Sequence, residues 1–192
     1  MKKFWKKTSL FLVTAAMTVS APLMAWALEH DIVILHTNDI HCGINDNIGF
    51  AGLAQIKKDA LARTPNVALV DAGDAIQGAP LGKLSTGEAV VNIMNAVGYD
   101  FCIPGNHEFD YRSKGLAKML ETAAESGDTV PELLVCNINW DAMEQQGLSE
   151  GQQQIRDAFT EYGVKDYVMV QKGNVRVALL GVFGKDALAC AP

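Results

Sequence analysis

Histidine is scarce in this chain: four copies in 192 residues, at positions 30, 36, 41 and 107, and none after His107. Cysteine is as sparse. Cys42, Cys102, Cys136 and Cys190 include no Cys-x-x-Cys pair, which argues against a structural zinc site. Positive charge is the third shortage. Residues 1–27 hold four of the 16 lysines and arginines and no acid. The remainder therefore has 12 basic and 22 acidic residues, a net charge of −10. So acidic a chain repels nucleic acid polymers and anionic membrane surfaces. An anionic substrate would need a local positive centre. A Walker-type phosphate loop, internal repeats and low-complexity tracts are also absent, and neither a P-loop nucleoside triphosphatase nor a serine hydrolase is expected.

The first stretch stands outside the expected fold. "MKKFWKK" is basic, "SLFLVTAAMTVSA" is apolar but too short to span a bilayer comfortably, and "AWA" (25–27) is a small-x-small cleavage site. Residues 1–27 are read as a secretory signal peptide and 28–192 as the exported part. Its destination would be the periplasm, cell wall or extracellular space, with no stable membrane insertion after cleavage. In that setting the four cysteines could form two disulfides in any of three connectivities. Cys102 and Cys136, set in apolar runs, read rather as buried thiols.

From residue 31 onward strand and helix patterns alternate. Apolar, β-branched runs predict strands over 31–37, 66–73, 99–104 and 131–139. Helical spacing marks 51–63, 86–98, 112–126 and 151–163. In the first of these, Leu53, Ile56, Ala60 and Leu61 form the apolar side, opposite Lys57, Lys58 and Asp59. Residues 166–184 read as a hairpin about a "KGN" turn. The pattern predicts an α/β domain: largely parallel at first, mixed once the hairpin is added, with helices covering the strands.

Three polar clusters fall at the ends of the first three strands: "HTNDIHCG", "DAGDAIQG" and "GNHEFD". Asp39 to Asp74 spans 35 residues and Asp74 to Asn106 spans 32, each about one strand–helix–strand unit. The clusters should therefore return to one edge of the sheet, where open α/β sheets build their sites. Asp39 and His41, two apart at the end of an extended segment, would share a side, with Ile40 turned to the core. Asp74 offers two oxygens that could bridge two cations, and Asn106 offers an amide oxygen. Carboxylate, imidazole, carboxylate and amide, without thiolate, suit Mn, Zn, Fe or Co and do not choose among them. Two such ions clamp a phosphate ester and acidify water for in-line attack. His107 could face the phosphate from the other side, to stabilise charge or protonate the leaving alkoxide, with Asp110 fixing its tautomer. Asp71 or Asp74 could alternatively serve the turn. His36 reads as a core or loop histidine, His30 as solvated, and Glu108 as a residue that orients the loop backbone.

Carried by "HTNDIH", "DAGDAIQGAPL" and "GNHEFD", the chain resembles the calcineurin-like metallophosphoesterases. More narrowly it resembles their exported 5′-nucleotidase branch, with its UDP-sugar hydrolases and 2′,3′-cyclic-nucleotide phosphodiesterases. The resemblance implies a four-layer α/β/β/α sandwich, two divalent metal ions, and a small phosphate ester, most readily a nucleotide, as substrate. It assigns Asp39 and His41 to one metal, Asp74 to the bridge and Asn106 to the other metal. His107 and Asp110 become the catalytic pair, and Asn106 and His107 also meet the substrate. Such enzymes draw further histidines from later strands and carry a separate C-terminal domain for the nucleoside. The chain has neither, so it is expected to be the N-terminal part of a larger enzyme. The rival expectation is a catalytically incomplete domain that at most binds metal.

Overall fold

A computed structural model of the chain describes residues 32–125, 127 and 130–185. The expected signal peptide, His30 and Cys190 lie outside these residues.

Four strands form a parallel sheet in the order β1-β2-β3-β4: β1 Val33–Thr37, β2 Val67–Asp71, β3 Phe101–Cys102 and β4 Glu132–Leu133. The register pairs Thr37 with Asp71, Asp71 with Cys102, and Cys102 with Leu133. One row thus crosses the sheet at its carboxyl edge, and the loops that follow β1, β2 and β3 start from that row. β3 and β4 are much shorter than their apolar runs. Backbone pairing nevertheless runs past their ends, with Asp100 N donating to Leu69 O, Ile103 N to Asp71 O and Leu134 N to Cys102 O. Pro104, which has no N–H to donate, stands where the third run leaves the sheet.

The helices are α1 Gly49–Leu61, α2 Pro80–Ser85, α3 Glu88–Val97, α4 Arg112–Glu125, α5 Trp140–Gln146 and α6 Glu150–Tyr162. A five-residue 3-10 turn, His107–Tyr111, precedes α4. The short α2 and α5 were not apparent from periodicity, because one or two turns are too few to show it. α3 ends as its sequence suggests, at Gly98 in the left-handed region (φ +82°). Contrary to the expectation that the chain lacks a hydrolase nucleophile elbow, residues 147–151, Gly-Leu-Ser-Glu-Gly, carry its letters. The structure removes that role. A helix rather than a strand precedes Ser149, and its hydroxyl caps α6 by accepting from Gln152 N.

Alternate strand residues feed two cores. Leu69, Leu133 and Val135 join Phe50, Leu53, Val90, Met94, Leu116, Leu120 and Phe159 from the helices. Phe101, Leu134, Val70 and Ile103 face the other way and pack on Val168, Val170 and Leu179. The latter belong to a separate antiparallel hairpin, β5 Tyr167–Lys172 and β6 Val175–Leu180, turned at Gly173-Asn174. Helices thus cover one face of the parallel sheet and a second sheet covers the other, which is the α/β/β part of the expected layering.

Three smaller expectations are corrected. Ile56 and Leu61 of α1 are exposed, whereas Lys57 turns inward, because its ammonium reaches Gly98 O and Asp100. His36 is exposed on the outer face of β1 rather than buried. Cys136 is exposed too, because β4 stops before it. Cys42, Cys102 and Cys136 are all free thiols.

Asp100 ties three elements together. Its Oδ2 accepts from Leu69 N at 2.8 Å and lies 3.5 Å from Lys57 Nζ, and its Oδ1 accepts from Lys172 Nζ of the hairpin at 2.6 Å. Burial by itself would raise the carboxyl pKa. The Leu69 amide and the two lysines outweigh it, and the net shift is downward. A depressed folded-state pKa gives stability that is present above the unfolded value, about 4, and is lost as pH falls through the folded one. Asp100→Asn should therefore lower unfolding free energy by about 1–3 kcal/mol at neutral pH. Urea melts at pH 7 and in acid should show the wild type and the variant converging as the pH drops.

Candidate functional site

The three loops dock on one another through backbone. Asp39 N donates to Gly73 O at 3.0 Å, His41 N to Asp74 O at 2.9 Å and Cys42 N to Ala75 O at 2.9 Å. The first loop is a tight turn rather than an extended segment: Asp39, His41 and Cys42 have φ of +53°, +49° and +61°, and Asp74 in the second has +60°. Such left-handed backbone costs on the order of 1–3 kcal/mol per residue away from glycine, and clusters at functional sites. Ile40 packs toward the core. The second and third loops meet backbone to backbone at two glycines. A Cβ on Gly73 would lie 2.5 Å from Gly105 N, and one on Gly105 would overlap Asp74 Oδ1. Asp74 Oδ1 also accepts from His107 N at 2.7 Å.

The docking gathers His41, Asp74 and His107. One potential ligand atom from each lies within 4.8 Å of the others. His41 Nδ1 faces the Gln77 carbonyl at 3.2 Å, which directs Nε2 outward to Asp39 Oδ1, 3.9 Å away. A ligating histidine is held in this way, with its second nitrogen on a carbonyl. The two imidazoles stand edge to face, with centroids 4.9 Å apart. His107 Nδ1 sits 2.9 Å from Asp110 Oδ2, and this bond, ahead of the Asp110, Asp74 and Glu108 charges, raises the His107 pKa. Asn106 stands just before the 3-10 turn, next to His107 in the chain. The six residues singled out by sequence thus come to one edge. Within it, His107 rather than Asp39 completes the tight cluster. The oxygen and nitrogen donors fit a divalent cation.

Two supports lie beneath this rim. Asp71 is 3% exposed and binds the Thr37 hydroxyl at 2.5 Å and Gly73 N at 2.9 Å, while Thr37 Oγ1 also contacts the Tyr99 hydroxyl at 2.9 Å. Burial pushes the Asp71 carboxyl up to about 7 against those two donors. Asp71 therefore serves the turn. Glu108, 6% exposed, accepts four backbone N–H groups. Burial raises its pKa, and the amide bonds oppose that shift. Thr37, Tyr99 and the Gln77 carbonyl had no signal in the sequence. A carbonyl comes with any residue, and a tyrosine 62 residues from its partner is paired only by the fold.

These features define a class: an α/β domain with a group of candidate metal ligands, two imidazoles and a carboxylate, at the carboxyl edge of a parallel sheet. Residues 32–174 match the calcineurin-like phosphoesterase family, and the chain belongs to it. It is 34% identical over 125 residues to a snake venom 5′-nucleotidase of Gloydius brevicauda, covering 58% of this chain and 21% of that protein. It is 32% identical over 194 residues to the protein UshA of Yersinia enterocolitica, covering 93% of this chain and 31% of the relative. Among solved structures, the 5′-nucleotidase precursor from Thermus thermophilus superposes with a TM-score of 0.62 at 23% identity, over 82% of this chain and 29% of that one, a likeness of fold. The chain spans about a fifth to a third of the length of these curated relatives.

The loop contact leaves no room for a methyl group. Gly73 has φ +102°, and a Cβ there would strike the Gly105 backbone. Gly73→Ala should destabilise the fold by about 1–3 kcal/mol. Thermal melts check this, and divalent-ion binding should weaken with it because Asp74 is displaced.

Proposed function

We propose that this chain carries the catalytic face of a metal-dependent hydrolase of small phosphate esters, of the 5′-nucleotidase type. The cluster of His41, Asp74 and His107 beside Asp39 carries this reading, supported by the family membership and the likeness to 5′-nucleotidases. These findings do not favour the rival reading, a domain that only binds metal. In this proposal Asp39 and His41 would hold one divalent cation and Asn106 a second, and the Asp74 carboxylate would serve both. Bound there, the ions would supply the positive charge that residues 28–192, at a net −10, lack, and would lower the pKa of water.

The protein's own groups do the rest. His41 Nδ1 faces the Gln77 carbonyl, which leaves Nε2 turned toward Asp39 as the atom that could hold an ion. Asp110 keeps His107 Nδ1 engaged and favours the imidazolium. A proton on His107 Nε2 is then held where a leaving alkoxide of the ester would accept it, and where positive charge meets the phosphoryl oxygens. The Asn106 amide, next in the chain, meets the same oxygens. The acidic surroundings disfavour polymeric nucleic acid and leave small esters, nucleotides foremost, as substrates.

Export through residues 1–27 belongs to the same proposal, with 28–192 as the N-terminal part of the catalytic domain and a further domain for the nucleoside. It rests on the basic and apolar pattern with its cleavage site and on the likeness to a venom protein. Among the described residues, no helix is long and apolar enough to cross a membrane.

The full-length protein should hydrolyse nucleoside monophosphates, cyclic nucleotides or UDP-sugars only with added Mn²⁺ or Zn²⁺. His107→Ala should lower kcat on the order of 10²–10⁴-fold, and Asp74→Asn should abolish metal dependence together with turnover. Metal-independent hydrolysis, or a His107→Ala variant with wild-type kcat, would overturn the reading.

A further inference from the structure

Glu108 is the acid of the "GNHE" tetrapeptide, yet it faces away from the rim. It is 6% exposed, and its carboxylate lies under the second and third loops. Oε2 accepts from Asp74 N at 2.8 Å and Gly105 N at 2.6 Å. Oε1 accepts from Ala75 N at 2.9 Å and Ile76 N at 3.2 Å. A carboxylate has about four lone-pair sites, so all of its acceptor capacity is taken by amide hydrogens. Three of those amides belong to the loop that carries Asp74. The fourth precedes Asn106, and the side chain itself hangs from the 3-10 turn that carries His107 and Asp110.

We propose that Glu108 is a positioning residue that sets the spacing of the metal-holding groups by cross-linking the Asp74 and Asn106–His107 loops through one shared carboxylate. Three observations converge on this. Asp74 is left-handed at φ +60°, a conformation that persists only where its surroundings over-determine it, and the Glu108 bond falls on its own N–H. The Gly73–Gly105 contact lets the loops approach until one carboxylate can reach both. On the upper side, Asp74 Oδ1 takes His107 N, so the loops are joined twice, above and below. No other side chain can replace this acceptor. Glutamine would present two hydrogens to two of the four donors and leave those amides buried and unpaired. Aspartate is one methylene short and could satisfy one loop or the other.

The proposal rests on the metal-site reading, and its test separates the two. Mn²⁺ binding to the full-length protein is measured by calorimetry for the wild type, Glu108→Gln, Glu108→Asp and Leu116→Ala. The last is a core change in α4 that lowers stability without touching the loops. Residues that orient metal ligands typically change affinity about 10–100-fold. Glu108→Gln should weaken Mn²⁺ binding by that factor, Glu108→Asp by less, and Leu116→Ala, while folded, not at all. Folded Glu108→Gln protein with wild-type Mn²⁺ affinity, or an equal loss in Leu116→Ala, would overturn the proposal.

Hydrogen exchange supplies an arm that needs neither metal nor a folded variant. In the wild type, the amides of Asp74, Ala75, Ile76 and Gly105 should be protected as a group. Exchange at the rate of exposed loop amides would overturn the proposal whatever the variants do. A wild type that takes up no Mn²⁺ would instead sink the metal reading, and protection of these four amides would still report the cross-link.

Discussion

The carboxylate of Glu108, buried and surrounded by four amide hydrogens, is the point from which the rim of this domain hangs. Three loops leave a common row at the carboxyl edge of the sheet. Two are joined under the surface by Glu108 and above it by the bond from His107 N to Asp74. The β1 loop then docks on the second through Asp39 N and His41 N. Each such bond contributes only about 1 kcal/mol net. Together they offset the left-handed backbone at Asp39, His41, Cys42 and Asp74 and keep the donors at ligand distance.

That arrangement concentrates negative charge. Asp39, Asp74, Glu108 and Asp110 surround two imidazoles in a domain that is already acidic. Neighbouring carboxylates add to the raised pKa values of Asp71, Glu108 and His107, although they are the largest cause in none of them. For the two carboxyls burial dominates. For His107 the Asp110 bond dominates, and it favours the cation. A divalent ion relieves the same crowding, so a site that is strained in isolation is suited to metal. The family to which the chain belongs, the calcineurin-like phosphoesterases, accords with that chemistry.

Much of this was legible in the sequence because the relevant signals are local and periodic. Apolar runs separated by helical spacing gave a parallel α/β sheet. Polar clusters 35 and 32 residues apart then had to return to one edge. Hence Asp39, His41, Asp74, Asn106, His107 and Asp110 could be chosen as a set. The Asp110 acceptor three residues after His107 is a short-range relation of the same kind.

Other features depend on long-range contacts that no local pattern encodes. Lys57 turned inward because Asp100, on another element, offered a carboxylate, while Ile56 stayed exposed. Strands β3 and β4 ended early, which left Cys136 exposed. That His107 joins His41 and Asp74 in the tight cluster, while Asp39 stands at its edge, was decided by positive backbone angles and glycine contacts between loops. The sequence by itself determined which chemical groups arrive at the rim, because a repeating strand–helix unit fixes direction. Only the tertiary structure decided how those groups face one another, because that depends on hydrogen bonds between residues more than thirty positions apart.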